Sequence, residues 1–151
     1  MHYISTRGEA PELGFSDALL AGLARDGGLY VPKQWPQFSP ADLRAMRGLS
    51  YPDLAIRLLT PFLDGEISGD VFERLVREAY ATFHHDAVCP LVQSGPNTFV
   101  LELFHGPTLA FKDVAMQLLA RLMDHILAER GQHAEVEDAA LLAGQHADAV
   151  A

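Results

Sequence analysis

The sequence predicts a mainly helical module over residues 1–94, followed by the opening strand, loop and helix of an α/β domain. Three observations predict it. Apolar segments before residue 81 carry helical spacing, most plainly Phe72, Leu75, Val76, Ala79 and Tyr80. The run TFVLELF (98–104) is β-branched and aromatic, as strands are. Beyond it Ala115, Leu118, Leu119, Leu122, Met123, Ile126 and Leu127 lay a broad apolar stripe on a long helix, about Lys112 to Arg130. Strand, loop and long helix in that order open an α/β unit.

Each element has a local reason. His2–Ser5 reads as a short strand. Ser16 is the expected N-cap of a helix carrying Leu19, Leu20 and Leu23. DGGLYVP (26–32) reads as a turn on Gly27-Gly28 and a short strand that Pro32 ends. Ser39-Pro40 pairs an N-cap with a proline at the first helical position, and Gly48 stops that helix. Ser50 caps a further helix with Leu54, Ile56, Leu58, Leu59 and Leu63, closed by Gly65. A third helical stretch runs from about Asp70 to Tyr80. Ser94-Gly95-Pro96-Asn97 is a turn cluster, and Gly131 is the expected residue past the end of the last helix.

Bulk properties narrow the function classes. The 151 residues are 49% hydrophobic, which excludes a wholly disordered chain. Net charge is −9, from 20 acids against 11 Lys plus Arg, with no basic cluster. Nucleic acid and anionic membrane both demand a positive footprint, so neither is an expected partner. No apolar run approaches the ~20 residues of a membrane span, and the first residues lack the apolar core of a secretory signal. The single cysteine, Cys89, fits a reducing compartment. A cytoplasmic soluble protein is the expectation.

One residue stands out. Lys112 lies in ELFHGPTLAFKD (102–113), where a strand hands over to a helix, among apolar neighbours. Ligands of open α/β sheets bind at the carboxyl ends of strands. The positive end of the helix dipole and partial burial beside Phe111 both favour the neutral amine, the form that attacks a carbonyl. A lysine at a helix start also serves simply as a snorkelling, solvated side chain, and position alone does not separate the two.

The run ELFHGPTLAFKD resembles the pyridoxal-phosphate (PLP) lysine segment of threonine synthases. YISTRG (3–8), FSDALLAGLARDGGLYVP (15–32) and LSYPDLA (49–55) resemble the same family, in the expected order, so the resemblance covers about residues 1–132. It implies an α/β parent enzyme of fold type II that converts O-phospho-L-homoserine and water to L-threonine and phosphate. It also implies that Lys112 forms the Schiff base with pyridoxal 5′-phosphate and then shuttles protons at the substrate's α and β carbons. Phe111 is a candidate wall of the cofactor pocket, and an aromatic beside a strand end is equally good core packing. His105 and Thr108 are candidates for substrate contact; a turn around Gly106-Pro107 held by side-chain hydrogen bonds accounts for them as readily. Asp113 reads as a charge placed at a helix N-terminus. The adjacent pair His84-His85 lacks the spacing that sets two ligands on one helix face, so no metal is expected. Arg7 has no assigned role.

The family is several hundred residues long, so the chain reads as an N-terminal fragment. Residues 1–94 correspond to the family's N-terminal domain and 95–132 to the start of its catalytic domain. The stretch HAEVEDAALLAGQHADAVA (133–151) has seven alanines and no glycine-rich phosphate loop, and departs from the family. If ordered, it is expected to be helical rather than a parallel strand. Without a cradle for the cofactor phosphate and pyridine nitrogen, this chain alone is expected to be inactive. Two other readings stand beside the enzyme: a non-catalytic interaction module built on the N-terminal domain, and a related fold-type II lyase such as threonine dehydratase. The dehydratase is the weaker, because DGGLYVP and ELFHGPTLAFKD occur together.

Overall fold

The structure, a computed structural model, describes residues 1–132. In chain order the elements are β1 (Tyr3–Ser5), α1 (Phe15–Ala21), β2 (Tyr30–Pro32), α2 (Pro40–Ala45), α3 (Tyr51–Leu63), α4 (Gly69–Tyr80), β3 (Leu91–Gly95), β4 (Thr98–Leu101) and α5 (Asp113–Glu129). They divide into two compact units: Met1–Leu49 with Asp53–Glu73, and Ser50–Pro52 with the described residues from Arg74 onward.

In the first unit β1 and β2 pair antiparallel, with Tyr3 opposite Pro32 and Ser5 opposite Tyr30. The loop between them is organised by Asp26. Its Oδ1 accepts from Ser5 Oγ at 2.7 Å and from Gly28 N–H at 2.9 Å, and its Oδ2 accepts from Glu9 N–H at 3.0 Å. Partial desolvation pushes the Asp26 carboxyl up, but these donors outweigh it and hold the group below the usual carboxylate range. Arg7, unassigned from sequence, donates through Nη1 to the Asp26 carbonyl at 2.9 Å.

Two helix starts in this unit are built differently. At α2, Ser39 is the N-cap, Pro40 follows, and Ser39 and Asp42 exchange bonds as a capping box, as expected. At α1 the expected cap is wrong. The N-cap is Gly14, and Ser16 lies inside the helix. The free amides of Phe15 and Ser16 donate instead to Glu66 Oε1 and Oε2, at 2.7 and 2.9 Å. A Cβ placed on Gly14 would lie 2.5 Å from Glu66 Oε1, so glycine is what lets that carboxylate approach. Tyr3 Oη donates to the Phe62 carbonyl at 2.8 Å, and Trp35 meets Phe62 edge-on at 6.1 Å.

Helix α4 follows its sequence closely. Phe72, Leu75, Val76, Ala79 and Tyr80 are all buried, at the i, i+3, i+4, i+7 spacing of one face. In the second unit Tyr51 and Tyr80 pack edge-to-face at 4.9 Å, and Tyr80 Oη donates to the Val114 carbonyl at 3.2 Å. That bond ties down the first turn of α5, whose Leu118, Leu122 and Ile126 are buried at i, i+4 spacing.

The region before α5 departs from expectation. Residues 91–95 form strand β3, which the turn cluster obscured, and only Pro96-Asn97 make the turn. β3 and β4 pair antiparallel, with Val92 opposite Val100 and a bulge between Gln93 and Gly95. β4 ends at Leu101 rather than continuing to Leu103, so residues 102–112 separate it from the helix. Both sheets of the described residues are two-stranded and antiparallel, giving a helix-rich segment with two small sheets. The expectation for residues 133–151 lies outside the described residues.

Candidate functional site

The segment that carries ELFHGPTLAFKD is built around Asp113. This side chain is only 3% exposed. Its Oδ2 accepts from Thr108 N–H and its Oδ1 from Thr108 Oγ1, each at 2.8 Å. The turn it grips is closed by Leu109 N–H on the Gly106 carbonyl at 3.1 Å, and a second turn by Asp113 N–H on Ala110 at 3.0 Å. Gly106 is buried against the carboxylate: a Cβ there would overlap Asp113 Cβ and lie 2.7 Å from Cγ. Leu109 takes a positive φ of 57°, a region that residues with a Cβ rarely adopt. Asp113 is therefore a loop clamp as well as a charge at the helix start, a role the sequence reading missed. The signal was present in Gly-Pro-Thr followed by an acid at the first helical position, the composition of a side-chain-bonded turn.

Lys112 is the N-cap residue of α5, without a capping bond from its side chain. The enclosure expected for it is not what the described residues supply: Lys112 is exposed, and Phe111 is 70% exposed. The reason is local. Asp113, not Lys112, turns inward to hold the loop, and its neighbours Leu109 and Phe111 face solvent. No carboxylate pairs with the Lys112 amine among the described residues.

His105 and Thr108 are both engaged within the loop. His105 Nε2 lies 2.7 Å from Glu102 Oε2, and its ring packs at a tilt against Phe104 at 4.6 Å and against His85 at 5.0 Å. The His105 carbonyl accepts from His84 N–H at 2.9 Å. Thr108 spends its one hydroxyl proton on Asp113, which leaves its oxygen able only to accept. The loop thus brings Lys112, Phe111, Thr108 and Asp113 into one short stretch. Burial pushes the Cys89 thiol up, as it does the Tyr51 and Tyr80 hydroxyls.

The threonine synthase N terminus family matches residues 2–80. The chain belongs to that family. It is 57% identical over 132 residues to a threonine synthase of Pseudomonas aeruginosa, covering 87% of this chain and 28% of the relative. Among solved structures it resembles a PLP-bound threonine synthase from Brucella melitensis, with TM-score 0.85 and 72% identity over 87% of this chain and 28% of that one. A yeast threonine synthase matches with TM-score 0.80 and 40% identity, over 85% and 27%. The chain thus spans a little over a quarter of the length of these relatives. The matched share of this chain reaches beyond the family's N-terminal region, in keeping with a resemblance that includes ELFHGPTLAFKD.

Proposed function

We propose that this chain forms the N-terminal part of a threonine synthase that converts O-phospho-L-homoserine and water to L-threonine and phosphate. We assign Lys112 as the lysine that carries pyridoxal 5′-phosphate. The observation that carries this reading is an exposed amine without a carboxylate partner, at a loop–helix junction, in a segment resembling the family's PLP lysine run. The residues present fit the group to that extent. A primary amine is the nucleophile the cofactor's aldehyde requires, and Phe111 offers an uncovered aromatic face beside it. When bound, PLP supplies the electron sink for chemistry at the substrate's α carbon.

The chain's own residues have narrower tasks. Lys112 Nζ would hold the cofactor, and its amine, when free, would take and return protons at that nitrogen. Phe111 would offer the cofactor an apolar ring and help exclude water. Thr108, its hydroxyl held by Asp113, would offer the substrate a contact from the loop. His105 lends a second contact, its ring oriented by Glu102. The α/β architecture of the parent, the division 1–94, 95–132 and 133–151, a cytoplasmic location, and the absence of nucleic-acid or membrane partners belong to the same proposal. No helix among the described residues is long and apolar enough to cross a membrane. This chain alone is expected to be inactive.

The test is Lys112→Ala in a full-length enzyme carrying this segment. The absorbance of lysine-bound cofactor and the release of phosphate from O-phosphohomoserine should both vanish while the circular dichroism spectrum is kept. Lys112→Arg should fail likewise, because guanidinium stays charged. Normal turnover by Lys112→Ala would show that the lysine is misassigned.

A further inference from the structure

We infer that Asp113 is a positioning residue whose buried carboxylate fixes the Gly106–Thr108 turn and so sets where the chain delivers the Lys112 amine. This rests on the reading of Lys112 as the cofactor lysine. Three observations carry it. The carboxylate is 3% exposed, and no Lys or Arg side chain pairs with it among the described residues. A charge buried that way is costly, and here two hydrogen bonds from a single residue, Thr108, meet it. Second, the turn backbone is packed directly on it, since a Cβ on Gly106 would collide with the Asp113 side chain. Third, Leu109 is kept at φ 57°, a sparsely populated conformation that persists only where the surroundings over-determine it. Lys112 is next to the clamp in sequence, and its own carbonyl is already fixed by Ala115 N–H at 3.1 Å and Met116 N–H at 2.8 Å. Its backbone is therefore held between the gripped turn and the first turn of α5. What remains free is the side chain, which is what a lysine that must leave the cofactor and return requires.

The chemistry of the pair supplies a selective test. An amide at 113 can still accept from Thr108 N–H, and its NH₂ can donate to Thr108 Oγ1 once the hydroxyl turns round. Asp113→Asn should therefore preserve the clamp, whereas Asp113→Ala removes both bonds. In this chain, without cofactor, Asp113→Ala should speed hydrogen exchange at the Thr108 amide about tenfold or more, and Asp113→Asn should leave it near the parent rate. In a full-length enzyme, Asp113→Ala should lower kcat at least about tenfold and shift the substrate-free absorbance of lysine-bound cofactor, with Asp113→Asn restoring both. If Asp113→Ala does not fold, Thr108→Val replaces it with Thr108→Ser as its control. The valine should move the substrate-free absorbance and the serine should not.

Unchanged exchange, kcat and absorbance in Asp113→Ala overturn the inference, as does an unmoved absorbance in Thr108→Val. So does an Asp113→Asn enzyme as impaired as Asp113→Ala, because charge and not geometry would then matter. A Lys112→Ala enzyme that keeps the lysine-bound absorbance overturns the underlying reading instead, so the two failures are distinct.

Discussion

The loop around Asp26 and the segment from Leu91 to Phe111 are both short, irregular and tied to a two-stranded sheet, yet they treat their surroundings in opposite ways. Around Asp26 the polar groups are matched: one carboxylate gathers Ser5, Gly28 and Glu9, while Tyr3 and Ser5 are buried on the adjoining strand. From Leu91 onward the two strand backbones are also paired, but large apolar side chains lie uncovered in a run. Leu91, Phe99, Leu101, Phe104, Leu109 and Phe111 are each more than half exposed within the described residues. Exposed large apolar residues in a contiguous stretch mark surface meant for contact. The first region's polar groups are closed by its own residues, with Leu23 and Leu29 exposed beside them, and the second carries the candidate chemistry on an open apolar face.

Core truncation should separate the two most sharply. Phe72 is 1% exposed, and Phe72→Ala should destabilise this chain by about 3–5 kcal/mol in denaturant titration. Phe111→Ala, at a 70% exposed position, should change it by no more than about 0.5 kcal/mol. Equal losses at both positions would mean that the open face is covered after all.

A smaller effect is expected at the borrowed cap. Glu66→Ala leaves the Phe15 and Ser16 amides without their acceptor and should lower stability by about 1–2 kcal/mol. Substituting Ser16 should leave both amide bonds to Glu66 in place and remove only its hydroxyl's bond to that carboxylate, which reverses the expectation that Ser16 caps its own helix. The difference is one of range. Ser39, Pro40 and Asp42 sit within four residues, so the α2 capping box is legible as a string. Glu66 lies fifty residues from the helix it caps, and no local pattern announces it. Helices α3 to α5 were legible because one apolar face fixes the period. Strand β3 was not, because Ser94 and Gly95 look like turn residues while being the end of a strand. The candidate site shows the same division. Lys112 was legible as a motif, but its exposure was not, since apolar neighbours in sequence need not be neighbours in space. The clamp was missed because a buried Asp and a solvated one read alike.

The smallest of these effects concerns acid. Asp26 and Glu66 are both held below the usual carboxylate range. For Glu66, as for Asp26, desolvation opposes this, and the amides of Ser16 and Phe15 with the Ser16 side chain overcome it. Their folded-state values lie below the unfolded ones. The stabilisation is therefore complete above the ordinary carboxylate range and is lost as pH falls through it toward the folded values. Melting temperature should decline on that acid limb, and Asp26→Asn should flatten it. A parallel limb in Asp26→Asn would assign the loss to other carboxylates.

The most direct measurement on the open face is borohydride reduction in the presence of pyridoxal 5′-phosphate, followed by peptide mapping, on this chain and on a full-length enzyme that carries it. The full-length enzyme should be labelled stoichiometrically on the peptide containing Lys112, and this chain weakly or not at all, because an exposed amine without a phosphate cradle holds the cofactor poorly. A label on another lysine of the full-length enzyme, or stoichiometric labelling of Lys112 in this chain alone, would contradict the account.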